Sequence, residues 1–172
     1  MEMRMRQMCR LLLVVVLAWT VGCSSGVATP DEAADASSLR VEKVWSRATP
    51  PGASVGVMYL QIYNDGAADQ LLSVQSPVSE TASIHRTVVD ENGIARMEMV
   101  AQLDLPAGAH VVFEPSGMHV MLTGLRQPLV EGATVPLTLE FLHAGRRQIA
   151  AKVYGIGALS AGEQATDHAM HH

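Results

Sequence analysis

From about residue 40 to residue 157 the chain alternates short runs of β-branched and apolar residues with clusters of turn formers. The apolar runs predict strands over Val41–Trp45, Val55–Tyr63, Gln70–Val74, Ala82–Val89, Ile94–Val100, His110–Glu114, His119–Leu122, Thr134–Leu142 and Gln148–Tyr154. Pro50-Pro51-Gly52, Asn64-Asp65-Gly66, Asn92-Gly93, Pro106-Ala107-Gly108, Pro115-Ser116-Gly117 and Ala144-Gly145 supply the breaks between them. Alternation is plainest where Val135, Leu137, Leu139 and Phe141 are separated by Pro136, Thr138 and Glu140, the pattern of a strand with one buried face. No run holds a 3.6-residue period, so the reading is a single all-β domain over residues 40–157, a Greek-key sandwich.

Both ends read differently. Arg4, Arg6 and Arg10 precede an apolar run, Leu11 to Trp19, that is too short to serve comfortably as a retained span, so residues 1–22 are expected to be an export signal. Thr20-Val21-Gly22-Cys23 resembles a bacterial lipobox, which implies that Cys23 is lipidated and becomes the mature N-terminus, although Thr20 stands where that pattern prefers leucine. Ordinary cleavage followed by release into the periplasm is the alternative. Residues 23–39, rich in Ala, Ser, Asp, Thr and Pro, are expected to form a flexible tether. Residues 158–172 read as a disordered tail that ends in His168, Met170, His171 and His172.

Charge and cysteine content remove several function classes. Taking Arg4, Arg6, Arg10 and Glu2 away from the 12 basic and 17 acidic residues leaves a formal balance of −7. Such a surface does not suit nucleic acid, whose phosphates require a basic face. Cys9 and Cys23 are the only two cysteines, and both lie at or before the expected cleavage site. The domain therefore has no thiol for a disulfide, a thiolate zinc site, a cysteine nucleophile or a blue-copper centre. No phosphate-binding glycine loop and no placeable catalytic trio is present either, so an enzyme is not expected.

What remains is histidine and methionine. Of the ten methionines, six lie beyond the expected signal, and Met97, Met99, Met118 and Met121 crowd near His85, His110 and His119. Thioether sulfur is soft and uncharged and imidazole is intermediate, so a mixed set of the two selects Cu(I) over zinc, calcium or magnesium. In a strand, His119 and Met121 point to one side and Val120 to the other, into the core. Taken alone, a His-x-Met pair is more often a surface histidine beside a core methionine. The second pair, His85 and Met97, depends on the register of a hairpin. A two-residue Asn92-Gly93 turn would throw Met97 to the face opposite His85, whereas a three-residue loop with Gly93 left-handed pairs Thr87 with Met97 and His85 with Met99. The second register is the one expected. His110 and His143, near turns, are expected to face solvent.

These residues resemble the periplasmic copper chaperones of the PCuAC type, whose signature is a histidine, an optional methionine, ten residues, a methionine, twenty-one residues and His-x-Met. Here His85, Arg86, residues 87–96, Met97, residues 98–118 and His119-Val120-Met121 match it without a gap. The likeness runs from about Val41 to Tyr154 and includes Leu105-Pro106-Ala107-Gly108 and Met118 to Leu125. It implies a cupredoxin-like sandwich, Cu(I) held by His85, Met97, His119 and Met121, and delivery to a partner such as the copper subunit of cytochrome oxidase or another copper-delivery protein. Arg86 replaces the optional methionine, which leaves open whether Met99 or Met118 offers a spare sulfur. The tail residues His168, Met170, His171 and His172 resemble a metal-binding extension and imply a Cu(II) capture role. A sequestering or resistance protein and a metal-free assembly or adhesion lipoprotein are the other two readings.

Overall fold

The computed structural model describes residues 38–162, and the signal, most of the tether, Cys23 and the His/Met tail lie outside the described residues. Ten strands run in chain order: β1 (Leu39–Arg47), β2 (Val55–Asn64), β3 (Asp69–Gln75), β4 (Thr81–Val89), β5 (Ala95–Val100), β6 (Leu103–Leu105), β7 (His110–Val112), β8 (Met118–Thr123), β9 (Thr134–Phe141) and β10 (Gly145–Tyr154). No helix occurs among the described residues. The strands hydrogen-bond in the order β5-β4-β8-β2-β1-β10-β9-β3-β6, with β7 also on β2. β1 links the two leaves of the sandwich, antiparallel to β2 and parallel to β10.

The core follows from period-2 alternation. One leaf contributes Met58, Leu60 and Ile62 of β2, Ile84 of β4, and Val120 and Leu122 of β8, while the other contributes Leu71, the β9 residues Val135, Leu137, Leu139 and Phe141, and Val153 of β10. All of these are nearly or fully buried. The expected β9 pattern is realised without exception, since Pro136, Thr138 and Glu140 all remain at least partly accessible.

One departure from regular pairing matters. In β1 the register shifts by one residue between Glu42 and Trp45, where Lys43 takes a φ of 49°. Such a bulge reverses the alternation. Leu39 and Val41 therefore pack into the core before it, whereas Trp45 after it turns outward onto Tyr59 with ring centroids 4.5 Å apart. Tyr154 and Ala158 complete this outer cluster, and Arg47 Nε donates to the Ala158 carbonyl at 2.7 Å. Leu39 and Ala158 are both buried and belong to the packed structure. β6 was not expected: three residues pairing with β3 are too few to show alternation.

The β4–β5 hairpin has the expected three-residue loop. Gly93 N–H donates to the Asp90 carbonyl at 2.9 Å, Asp90 N–H donates to the Ile94 carbonyl at 3.0 Å, and Gly93 has a φ of 78°. The Asp90 carboxylate caps the loop by accepting from the N–H groups of Asn92 at 2.9 Å and Ile94 at 3.0 Å. This local chemistry sets Thr87 opposite Met97 and His85 opposite Met99. Nothing stands near Gly93 that a side chain would strike, so the sole demand is on φ. Gly93→Val should therefore destabilise the hairpin by about 1–2 kcal/mol through the left-handed backbone. Hydrogen exchange should show reduced protection in β4 and β5 and unchanged protection in β9 and β10; equal protection in the hairpin would refute the assignment.

Candidate metal centre

β4 lies between β5 and β8 and pairs antiparallel with both. Ile84, 3% exposed, points into the core, so its neighbours Ser83 and His85 point outward. On β8, Val120 and Leu122 are wholly buried and hold His119 and Met121 on that same outer face. His85 is directly opposite His119 on one side and Met99 on the other. Met121 is opposite Ser83, and Met97 is opposite Thr87, so each sits one pleat away from His85 along a neighbouring strand. The structure thus places all four expected ligands on one face around His85. Met118, opposite Arg86, is on the other face and packs against the core.

The two imidazoles lie nearly parallel, with centroids 6.0 Å apart and planes at 20°. His119 is buried, at 7% exposure, and its Nδ1 is 3.2 Å from the Gly117 carbonyl. A carbonyl only accepts, so Nδ1 carries the hydrogen and Nε2 keeps its lone pair. His85 Nε2 meets the Ser83 hydroxyl at 2.9 Å, while its Nδ1 is buried without a partner. A buried ring nitrogen left unpaired costs about 1–3 kcal/mol, which a bound ion would offset. Burial, and secondarily the neighbouring His119, holds the His85 pKa below the ordinary histidine value. Both effects favour the neutral, ligating form.

Among the described residues no three His, Cys, Asp or Glu side chains gather into a group, and the side chains beside the two imidazoles on this face include the thioethers of Met97, Met99 and Met121. The donor set therefore fits a soft monovalent ion, as inferred from composition. Access is graded. His119 is buried and Met121 half-buried, whereas Met97 and Met99 on the edge strand are 63% and 69% exposed. On the opposite face of the hairpin, Arg86 pairs with Glu98 at 3.5 Å and Arg96 with Asp90 at 3.4 Å, which keeps charge away from the methionines. Sequence reasoning missed Ser83 and the Gly117 carbonyl as partners of the two rings. The i−2 position of Ser83 on a strand was the available signal for the first.

Of the other histidines, His110 is exposed and stacks on Tyr63 at 4.1 Å between centroids, and His143 is exposed at the β9–β10 turn. Neither lies in a row with His85: His110 is opposite Tyr63 on β2, and His143 follows β9. The outer face continues instead from Met121 through Val57, its partner on β2, to the Trp45–Tyr59 cluster.

Known proteins share this fold. The family described as "Putative lipoprotein LpqE-like" matches residues 39–153. A curated relative, "Putative lipoprotein Lxx21020" of Leifsonia xyli subsp. xyli, is 26% identical over 146 residues, covering 82% of this chain and 86% of the relative. Among solved structures, the copper-bound PCuAC domain from PmoF2 superposes with a TM-score of 0.57 at 25% identity, covering 67% of this chain and 92% of that domain. The Cu(I) form of DR1885 from Deinococcus radiodurans superposes with a TM-score of 0.51 at 29% identity, covering 67% of this chain and 75% of that one. With strand order, outward His/Met face and family match in accord, the chain belongs to the LpqE-like family and is an all-β, cupredoxin-like sandwich of the PCuAC type.

Proposed function

We propose that the protein is a copper carrier of the bacterial cell envelope, binding one Cu(I) through His85, Met97, His119 and Met121 and passing it to a partner. The observation that carries this reading is the register of β4, which gathers two imidazoles and the methionine thioethers on one outward face. Relatives of similar fold are described as copper-bound and Cu(I)-bound, which supports the same cargo here. Neutral thioethers and imidazoles can fill the coordination shell of Cu(I), leaving no open position for substrate, so carriage rather than catalysis follows. Methionine also needs no deprotonation and forms no disulfide, which suits an oxidising compartment.

Delivery to the copper subunit of cytochrome oxidase or to another copper-delivery protein is the finer form of the proposal. So is tethering to the membrane through lipidated Cys23, for which the lipoprotein description of the family gives support. The tail residues His168, Met170, His171 and His172 are assigned an accessory role in capturing Cu(II), whose preference for nitrogen suits clustered imidazoles.

Anaerobic Cu(I) titration against bicinchoninate tests the core site. One equivalent should bind, and His119→Ala or Met97→Leu should weaken binding by about tenfold or more with unchanged far-UV circular dichroism. Full retention of copper by His119→Ala would remove the copper reading. Transfer of bound Cu(I) to an apo oxidase-subunit fragment separates a carrier from a sequestering protein, which would keep its ion.

His85 should resist protonation in mild acid. Because the folded His85 pKa is below 6.5, its value in an unfolded chain, the unfolded state binds more protons between the two values. The stability contributed by neutral His85 is therefore complete above 6.5 and is lost as pH falls through the depressed folded value. An NMR titration of the copper-free protein should place the His85 midpoint below 6.5, so protonation of His85 should compete with Cu(I) only as pH falls below 6.5. A midpoint at or above 6.5 would contradict the environment described.

A further inference from the structure

We infer that Met99, which stands outside the spaced His/Met motif, is a third thioether of the copper site and exchanges with Met97, so that cargo enters and leaves along the exposed strand β5. The inference rests on the Cu(I) reading above and adds a ligand and a direction to it.

The first argument is register. Met99, His85 and His119 occupy one row across the adjacent strands β5, β4 and β8, each directly opposite the next. Directly opposed residues have Cβ atoms about 4.5–5.5 Å apart, whereas a neighbour offset by two residues lies about 7–8 Å away. Met99 is thus the thioether-bearing residue set squarely against His85, and Met97 and Met121 are both diagonal to it. Met97 shares a row with Thr87, and Met121 shares one with Ser83. Four residues of β4 separate those rows, about 13 Å along the strand. Met99 stands in the row between them and is therefore closer along the strand to Met121 than Met97 is.

The second argument is which methionines can turn toward the ion. Met97 and Met99 are two residues apart on one strand and point the same way. Met118, the other candidate for a spare sulfur, is on the core face. β5 is the last strand of the sheet, a position where exposed edges ordinarily carry charge. Its reverse face does so, with Arg96 and Glu98, while the site face presents two methionines more than three-fifths exposed. Met99 also borders, with Ser83, an open cleft of about 240 Å³ between β3 and the β4–β5 hairpin, through which an incoming side chain can approach.

Two thioethers on one exposed strand supply what carriage requires at the moment of transfer. The copper remains Cu(I) throughout. As the bond to the Met97 sulfur breaks and a bond to a donor of the partner forms, the Met99 sulfur and the two imidazoles keep the ion coordinated; no electron or proton has to move.

The test uses the whole protein, Cu(I) alone as the bound species and bicinchoninate as the competing acceptor, with X-ray absorption at the copper edge. Met99→Leu keeps side-chain volume at an exposed position and should leave the circular dichroism unchanged. It should lower Cu(I) affinity by about tenfold and change the rate of release to bicinchoninate, while Met97 keeps the sulfur shell as in wild type. The double variant Met97→Leu/Met99→Leu should lose more than either single change, with non-additive coupling. Wild-type affinity and release rate in Met99→Leu would overturn the inference. If His119→Ala loses copper in the same series while Met99→Leu does not, only the role of Met99 falls; if His119→Ala retains copper, the site itself was misread.

Discussion

The site depends on the alternation of a single strand. Ile84 is packed in the core and His85 is outside it, and in a pleated strand those two facts are one fact. A slip of one residue would drive an imidazole into the interior and expose an isoleucine. Burying a side chain of that size contributes about 1.5–3 kcal/mol, and burying an unpaired polar group costs a comparable amount in the opposite direction. Val120 and Leu122 impose the same condition on β8, and both conditions must hold in one register for His85 to stand opposite His119. The hydrophobic core thereby aims the polar face without touching it.

The electrostatic character of that face explains why a soft cation is its natural partner. Two imidazoles lie 6.0 Å apart between centroids, so protonating both would set two positive charges against each other. The Gly117 carbonyl fixes one tautomer, and burial resists protonation of the other ring. What the face offers is neutral lone pairs, and a hard, highly charged ion would find no carboxylate there to balance it. Ser83 holds the His85 ring through its hydroxyl, 2.9 Å from Nε2.

The parts of this arrangement that were legible in the sequence are those set by local chemistry. Val135 to Phe141 alternate because β9 buries one face, and they could be read directly. The hairpin register could be chosen because only a three-residue loop with Gly93 left-handed aims His85 and Met97 to one face, and the Asp90 cap and the positive φ of Gly93 realise that loop. What could not be read was non-local. The bulge at Lys43, which turns Trp45 from the core side to the outer cluster, adds one residue without altering composition, so periodicity is blind to it. The burial of His119 was equally hidden, because a histidine two residues from a methionine carries no mark of what covers it. Ala158 belongs to the packed domain only because Tyr59 and Trp45 receive it, and small residues near a polar end look like tail.

For the proposed Cu(I) carrier, graded exposure divides the site into two kinetic roles. A buried imidazole such as His119 has already lost its freedom on folding, so binding an ion costs it little further entropy. An exposed methionine retains several rotatable bonds, and ordering it costs up to about 2 kcal/mol that the metal–sulfur bond must overcome. Histidines in the row therefore favour retention, and methionines on the rim favour rapid exchange at small net cost per bond. A carrier needs both properties at once, because an ion held only by preorganised, buried donors would leave too slowly to be delivered. Placing the mobile donors on an edge strand, with no further strand outside it, puts exchange where a partner can reach it.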